Sequence, residues 1–158
     1  MRRTTFLVLV LVLILGLAGC GASAPKVEWE LKIDGAVSNP LTLSFADLVK
    51  KPQVDLKDIL MEKSTGEDVV TNWSGVSLDA LLAEAGAAAG YTSITATAGD
   101  GYAIEISKDE LQEGIVALKD NGEWIATADA EHGPIRLVCP HTPGNRWVFQ
   151  LQQLTVNE

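Results

Sequence analysis

Sulfur and positive charge are both scarce in this chain. Its 158 residues include two cysteines, Cys20 and Cys139, which excludes a disulfide-rich scaffold. Twelve Lys and Arg face 21 Asp and Glu, for a formal net charge of −9. A chain this acidic lacks the basic stripe that neutralises phosphates, so a nucleic-acid partner is not expected. The two histidines, His132 and His141, fall short of the ligand count a zinc site needs. The G-x-S-x-G elbow, the G-x-x-x-x-G-K-[ST] loop and the H-E-x-x-H helix are all missing. Phe6 to Leu15, an unbroken apolar run, is about half the length of a membrane-spanning helix. What remains, 47% hydrophobic and 21% charged residues, is an ordinary globular composition.

That apolar run has a leader's arrangement. Arg2 and Arg3 precede it, and Leu17-Ala18-Gly19-Cys20 follows it. This order resembles the signal and lipobox of bacterial lipoproteins, in which the cysteine thiol takes a diacylglyceryl group. It predicts a signal peptide over residues 1–19, a lipidated tether over 20–26 and a folded domain over 27–158. The implied place is the bacterial cell envelope, outside the cytoplasm, on a membrane anchor at Cys20. A plain secretory signal with an incidental Cys20 is the competing reading. The acidic domain is predicted to stand off anionic headgroups. Lipidation would leave Cys139 without a partner. Its apolar run, Ile135 to Cys139, predicts a buried and inert thiol.

Short strands mixed with isolated helices follow. Val27 to Asp34 alternates as a half-buried strand. Ser44 caps a helix over Phe45 to Lys50, ended by Pro52. Gln53 to Glu62 and Val69 to Trp73 are extended. Ser77 caps the clearest helix, with Leu78, Leu81, Leu82 and Ala85 at helical spacing and Gly86 as its terminator. Ser93 to Ala98, an Asp100-Gly101 turn and Tyr102 to Ile106 form a hairpin. Ser107 to Glu110 has the spacing of a capping box. Asn121-Gly122 joins Ile115–Leu118 to Glu123–Ala126 in a second hairpin. Strands Pro134 to Cys139 and Trp147 to Val156 flank a polar loop, Pro140 to Arg146. The order lacks regular βαβ alternation, so it predicts an α+β fold with mixed or antiparallel sheets.

The candidate pocket residues are Trp73, Asp100, Tyr102, Arg136, His141, Asn145 and Arg146. Each has a plainer reading: Trp73 and Tyr102 as core, Asp100-Gly101 as a simple turn, Arg136 paired with an acid. Trp29, Trp124 and Trp147 lie in apolar-periodic segments and are predicted in the core. Asp129 and Glu131 read as solvated turn charges. No metal ligands are assigned.

An ordered set of short motifs then carries a resemblance: Trp73-Ser74-Gly75-Val76-Ser77-Leu78, Leu81-Leu82, Ala85-Gly86, Ala98-Gly99-Asp100-Gly101-Tyr102, Gly133-Pro134-Ile135-Arg136-Leu137-Val138 and Trp147-Val148. Over residues 29–156 the chain resembles the oxidoreductase molybdopterin-binding domain, the catalytic domain type of sulfite oxidases. The resemblance implies a mixed α+β fold holding a molybdenum–pterin cofactor. It also implies a cysteine thiolate ligand from the segment before Trp73. Here that segment, Gln53 to Asn72, has no cysteine, and Lys57, Lys63, Arg136 and Arg146 are the only candidates to grip a pterin phosphate. Family members carrying the cofactor are exported folded on twin-arginine signals. Arg2-Arg3-Thr4-Thr5-Phe6 has the paired arginines without the usual spacing. Three functions follow. The domain is a binding module for a small ligand or partner without molybdenum catalysis, a molybdopterin-dependent oxidoreductase with an atypical metal shell, or an accessory lipoprotein of an envelope redox complex.

Overall fold

A computed structural model describes residues 23–158. The predicted signal peptide and Cys20 lie outside the described residues. No helix among the described residues is long and apolar enough to cross a membrane.

Two sheets carry the domain. The first has the order β2-β1-β10-β5-β6, built from β1 (Glu30–Gly35), β2 (Leu41–Ser44), β5 (Ser93–Ala98), β6 (Ala103–Ser107) and β10 (Leu151–Asn157). β1 and β10 pair in parallel and the other pairs are antiparallel, so the sheet is mixed. The second runs β3 (Gln53–Met61), β4 (Val69–Ser77), β7 (Ile115–Asp120), β8 (Glu123–Trp124), with β9 (Arg136–Val138) also paired to β7. Helices are short: α1 (Phe45–Lys50), α2 (Leu78–Ala85) and α3 (Ile125–Ala128). The fold is α+β with mixed sheets, as expected.

Local chemistry explains the ends of these elements. Ser44 accepts from Asp47 N while Asp47 accepts from Ser44 N, a reciprocal box that starts α1. Ser77 accepts from Ala80 N at the start of α2, and Gly86 closes it in the left-handed region at φ 65°. Asn121 and Gly122 both have positive φ, 47° and 87°, the geometry a two-residue hairpin turn requires. One continuous apolar cluster draws on both sheets, with Leu31, Ile33, Ile94, Leu118, Leu137 and Leu154 fully buried. α2 turns Leu78, Leu81, Leu82 and Ala85 into the same cluster.

Three elements differ from expectation. The strand predicted over Glu123–Ala126 stops at Trp124, and α3 begins at Ile125. A helical turn there lets Ile125 reach the core while Asp129 N bonds back to Ile125 O. The final strand begins at Leu151 instead of Trp147, because Trp147 to Gln150 is spent crossing between sheets: Leu137 N bonds Val148 O and Gln150 N bonds His132 O. Leu41–Ser44, unassigned from sequence, is an edge strand. Trp147 is fully buried, whereas Trp29 and Trp124 are only partly covered.

Gly75, inside the Trp73–Leu78 motif, is where β4 and β7 approach most closely. A Cβ there would sit 2.1 Å from Val116 O and 2.6 Å from Ala117 Cα, both backbone atoms that cannot swing away. Gly75→Ala is therefore expected to cost at least about 3 kcal/mol, read as a fall in the urea midpoint. A second expectation concerns acid. Glu110 accepts from Ser107 N and Oγ and pairs with Arg146, and these hold its carboxyl below the usual range. A depressed carboxylate stabilises the fold above its unfolded pKa and loses that contribution as pH falls through the folded value. Glu110→Gln should thus be destabilised by about 1 kcal/mol at neutral pH. The gap from wild type should begin to narrow as pH falls through the ordinary carboxylate range, about 4.3, and close only below Glu110's lowered folded value, in thermal melts across pH.

Candidate functional site

Arg136 stands on β9, opposite Ala117 of β7. It is only 8% exposed, an unusual setting for a guanidinium. Three rings surround it: Phe149 at 3.8 Å from the guanidinium carbon to the ring centroid, Trp73 at 5.2 Å and Trp147 at 5.4 Å. Each partly desolvated cation–ring contact is worth roughly 0.5–2 kcal/mol. Trp73 and Trp147 meet edge to face, 5.8 Å apart at 88°. Their indole nitrogens are tied back, Trp73 donating to Thr71 Oγ1 and Trp147 to the carbonyls of Cys139 and Thr142. The aromatic frame is thus fixed before any ligand arrives.

The Arg136 side chain makes no hydrogen bond to any described residue, and its Nε is buried. Burial pulls its pKa down to about 10, opposed by the charges of Asp120 and Asp129. Neither carboxylate closes to an ion pair with it among the described residues. The plain reading of Arg136 as half of a salt bridge is therefore not what the structure shows. Asp120 answers in kind: burial raises its carboxyl pKa, Arg136 lowers it and Asp129 raises it.

A hollow of about 380 Å³ opens in front of Arg136. Trp73, Phe149, Ile125 and Ala128 supply its apolar lining, and Asp120, Glu123 and Asp129 its acidic one. His132 Nδ1 lies 2.9 Å from Asp129 Oδ1, and its ring packs on Phe149 with centroids 4.6 Å apart. A neighbouring hollow of about 510 Å³ shares His132 and Phe149 as a common wall. Asp100, Tyr102, Asn145, Trp147, Glu131 and Gln150 line it. Gln150 donates to Glu131 O and holds the two loops together.

Five of the seven candidate residues thus fall on this double hollow: Trp73 and Arg136 in one lobe, Asp100, Tyr102 and Asn145 in the other. Tyr102 is 49% exposed, so its reading as core fails. Asp100 builds a tight turn, accepting from Tyr102 N, and still faces the second lobe. The other two lie elsewhere. His141 pairs with Glu113 at 2.9 Å in a separate groove with Asp58 and Glu62. Arg146 is consumed by Glu110 at 2.8 Å and by the carbonyl of Glu105. Lys57 and Lys63 are exposed on and beside β3 and line neither lobe.

Sequence reasoning missed Asp120, Asp129, His132 and Phe149. Asp120 ends a strand and Asp129 sits in a charged turn, where carboxylates ordinarily face water. His132 had one signal, its place four residues before Arg136 across a Gly-Pro turn. Cys139, predicted buried, is fully enclosed, and burial pushes its thiol up to about 12. Among the described residues no three His, Cys, Asp or Glu side chains gather as a metal site.

Comparison with known proteins places this geometry. The family described as "Oxidoreductase molybdopterin binding domain" matches residues 21–158. The chain is 31% identical over 120 residues to "Uncharacterized oxidoreductase YuiH" of Bacillus subtilis (strain 168), covering 72% of this chain and 58% of that protein. The crystal structure of the sulfane dehydrogenase SoxCD from Paracoccus pantotrophus superposes with a TM-score of 0.70 at 25% identity, over 85% of this chain and 40% of that one. The present chain therefore spans well under two thirds of either relative. With its mixed sheets and the double hollow beside β9, the chain belongs to the oxidoreductase molybdopterin-binding domain family.

Proposed function

We propose that this chain is a lipid-anchored, extracytoplasmic member of the family that binds a small ligand or a partner protein without molybdenum catalysis. The observation that carries this is the chemistry of its sulfur. A molybdenum centre of this family type needs a soft, ionised thiolate at the metal. β3 and β4, the strands that lead into and carry the Trp73 motif, contain no cysteine. Cys139 is the only described cysteine, and a thiol held near pKa 12 stays protonated at neutral pH.

The rest of the site does not fit the cofactor either. A pterin phosphate is a dianion and wants several cations. The first lobe offers one guanidinium set among Asp120, Glu123 and Asp129, and the second is lined by Asp100 and Glu131 with no lysine or arginine. Arg146, Lys57 and Lys63 are turned to other tasks or to solvent.

The anchor rests on the Arg2–Cys20 pattern of the sequence. A second reading, a molybdopterin-dependent oxidoreductase with an atypical metal shell, takes support from its relatives, one called an oxidoreductase and one a sulfane dehydrogenase.

One preparation separates the two. The full chain, produced in a host that makes the cofactor and purified from its envelope, is assayed for molybdenum by mass spectrometry and for pterin by oxidative fluorescence. Neither should be present in stoichiometric amount; one molybdenum per chain would overturn the binding-module reading. A thiol assay gives a second check. Cys139 should resist an aromatic disulfide reagent at pH 7 in the native protein and react on denaturation in guanidinium. Rapid labelling of the folded chain would put a thiolate back among the available ligands.

A further inference from the structure

The hollow in front of Arg136 combines two features that pull in opposite directions. Its floor holds a guanidinium that is 8% exposed, with a buried Nε and no hydrogen bond to any described residue. A buried cation left this way is costly, and its natural complement is an anionic, hydrogen-bond-accepting group. A carboxylate matches the planar fork of an arginine. Three carboxylates, Asp120, Glu123 and Asp129, also line the hollow, with His132 Nδ1 on Asp129. A simple anion would therefore be drawn to Arg136 and repelled by three carboxylates. A simple cation would be drawn to the carboxylates and repelled by Arg136.

We propose that this lobe binds a small zwitterion of the amino-acid class, its carboxylate on Arg136 and its ammonium on the Asp120 and Asp129 side, with its carbon chain against Phe149, Ile125 and Ala128. The inference deepens the binding-module reading and rests on it. A ligand carrying both charges turns each of the two conflicting features into an attraction. The volume, about 380 Å³, has room for a single amino acid. Asp120 and Asp129 line the same hollow as Arg136, so a single molecule seated there meets both signs of charge. The ring faces around Arg136 are already used by the guanidinium, so they are not an aromatic cage for a ligand ammonium. The carboxylates are the remaining attraction for it. Trp73 lines the lobe and adjoins Arg136, so occupancy should alter indole emission.

The experiment uses the full chain in mild detergent, with tryptophan fluorescence and calorimetry as readouts. L-leucine is compared with 4-methylpentanoate, which lacks the ammonium, and with isopentylamine, which lacks the carboxylate. γ-Aminobutyrate is compared with butyrate and propylamine, which probes a wider charge separation. At least one zwitterion should bind about tenfold or more tightly than both of its single-charge counterparts, a difference of about 1.4 kcal/mol. Asp129→Asn, at a site where the side chain is half exposed, should fold normally and erase most of that advantage without weakening the carboxylic acid. Arg136→Lys should weaken the acid and the zwitterion together. If both zwitterions bind no better than their analogues, or fail to bind at all by about 10 mM, the inference is overturned. Should that happen with folded protein free of pterin, the binding-module reading stands. Stoichiometric pterin in the same preparation overturns both.

Discussion

A guanidinium enclosed by three aromatic rings is the interaction on which this molecule's character turns. Arg136 joins β9 to Trp73 of β4 and to Trp147 and Phe149 of the crossing before β10. Those segments come from distant parts of the chain: β4 and β9 lie in the second sheet, and the crossing leads into the first. The rings lower the cost of enclosing a charge that water would otherwise hold, without supplying hydrogen bonds. The result is a positive centre that is mechanically fixed and chemically unsatisfied. Asp120, Asp129 and His132 sit around it on short connections that the strands hold in place.

On the binding-module reading proposed above, the family's architecture and its chemistry have separated in this chain. The sheets, the close approach at Gly75, the Asp100-Gly101 turn and the Gly133-Pro134 turn all serve packing or backbone geometry, and the family match spans all of them. The donors a molybdenum–pterin group requires belong to another layer, a handful of side chains with no structural duty. Their loss costs the fold nothing. Gly75 makes the point: it is in the motif that signals the family, yet its constraint is the backbone of Val116. Motifs of this kind report ancestry and architecture more faithfully than activity.

The fold was largely legible in the sequence because its signals are local. Ser44 and Asp47, Ser77 and Gly86, and Asn121-Gly122 each act within a few residues, and each element end fell where that chemistry places it. The errors arose where tertiary packing decided. Glu123–Ala126 has strand-like composition, but Ile125 reaches the core through a helical turn. Trp147 to Gln150 alternates like a strand, yet bonds sideways to Leu137 and His132. The site was half legible. Trp73, Arg136 and the Asp100–Tyr102 turn stand out by residue type. Asp120, Asp129 and Phe149 do not, because their role depends on which loops the sheets bring together. His141 and Arg146 have suggestive chemistry, but Glu113 and Glu110 had already claimed them.

β10 has a consequence for the life history of the molecule. It lies between β1 and β5, so the middle position of the first sheet is taken by the strand that comes latest in the described chain. Until β10 has been synthesised, β1 with its neighbour β2 and the β5–β6 hairpin are two separate ribbons with open edges. A nascent chain would therefore remain incomplete on the ribosome and depend on the final segment to zip its halves together. Such late closure over long sequence separation is slow. It leaves an interval in which both ribbons carry unpaired edges that another chain could join.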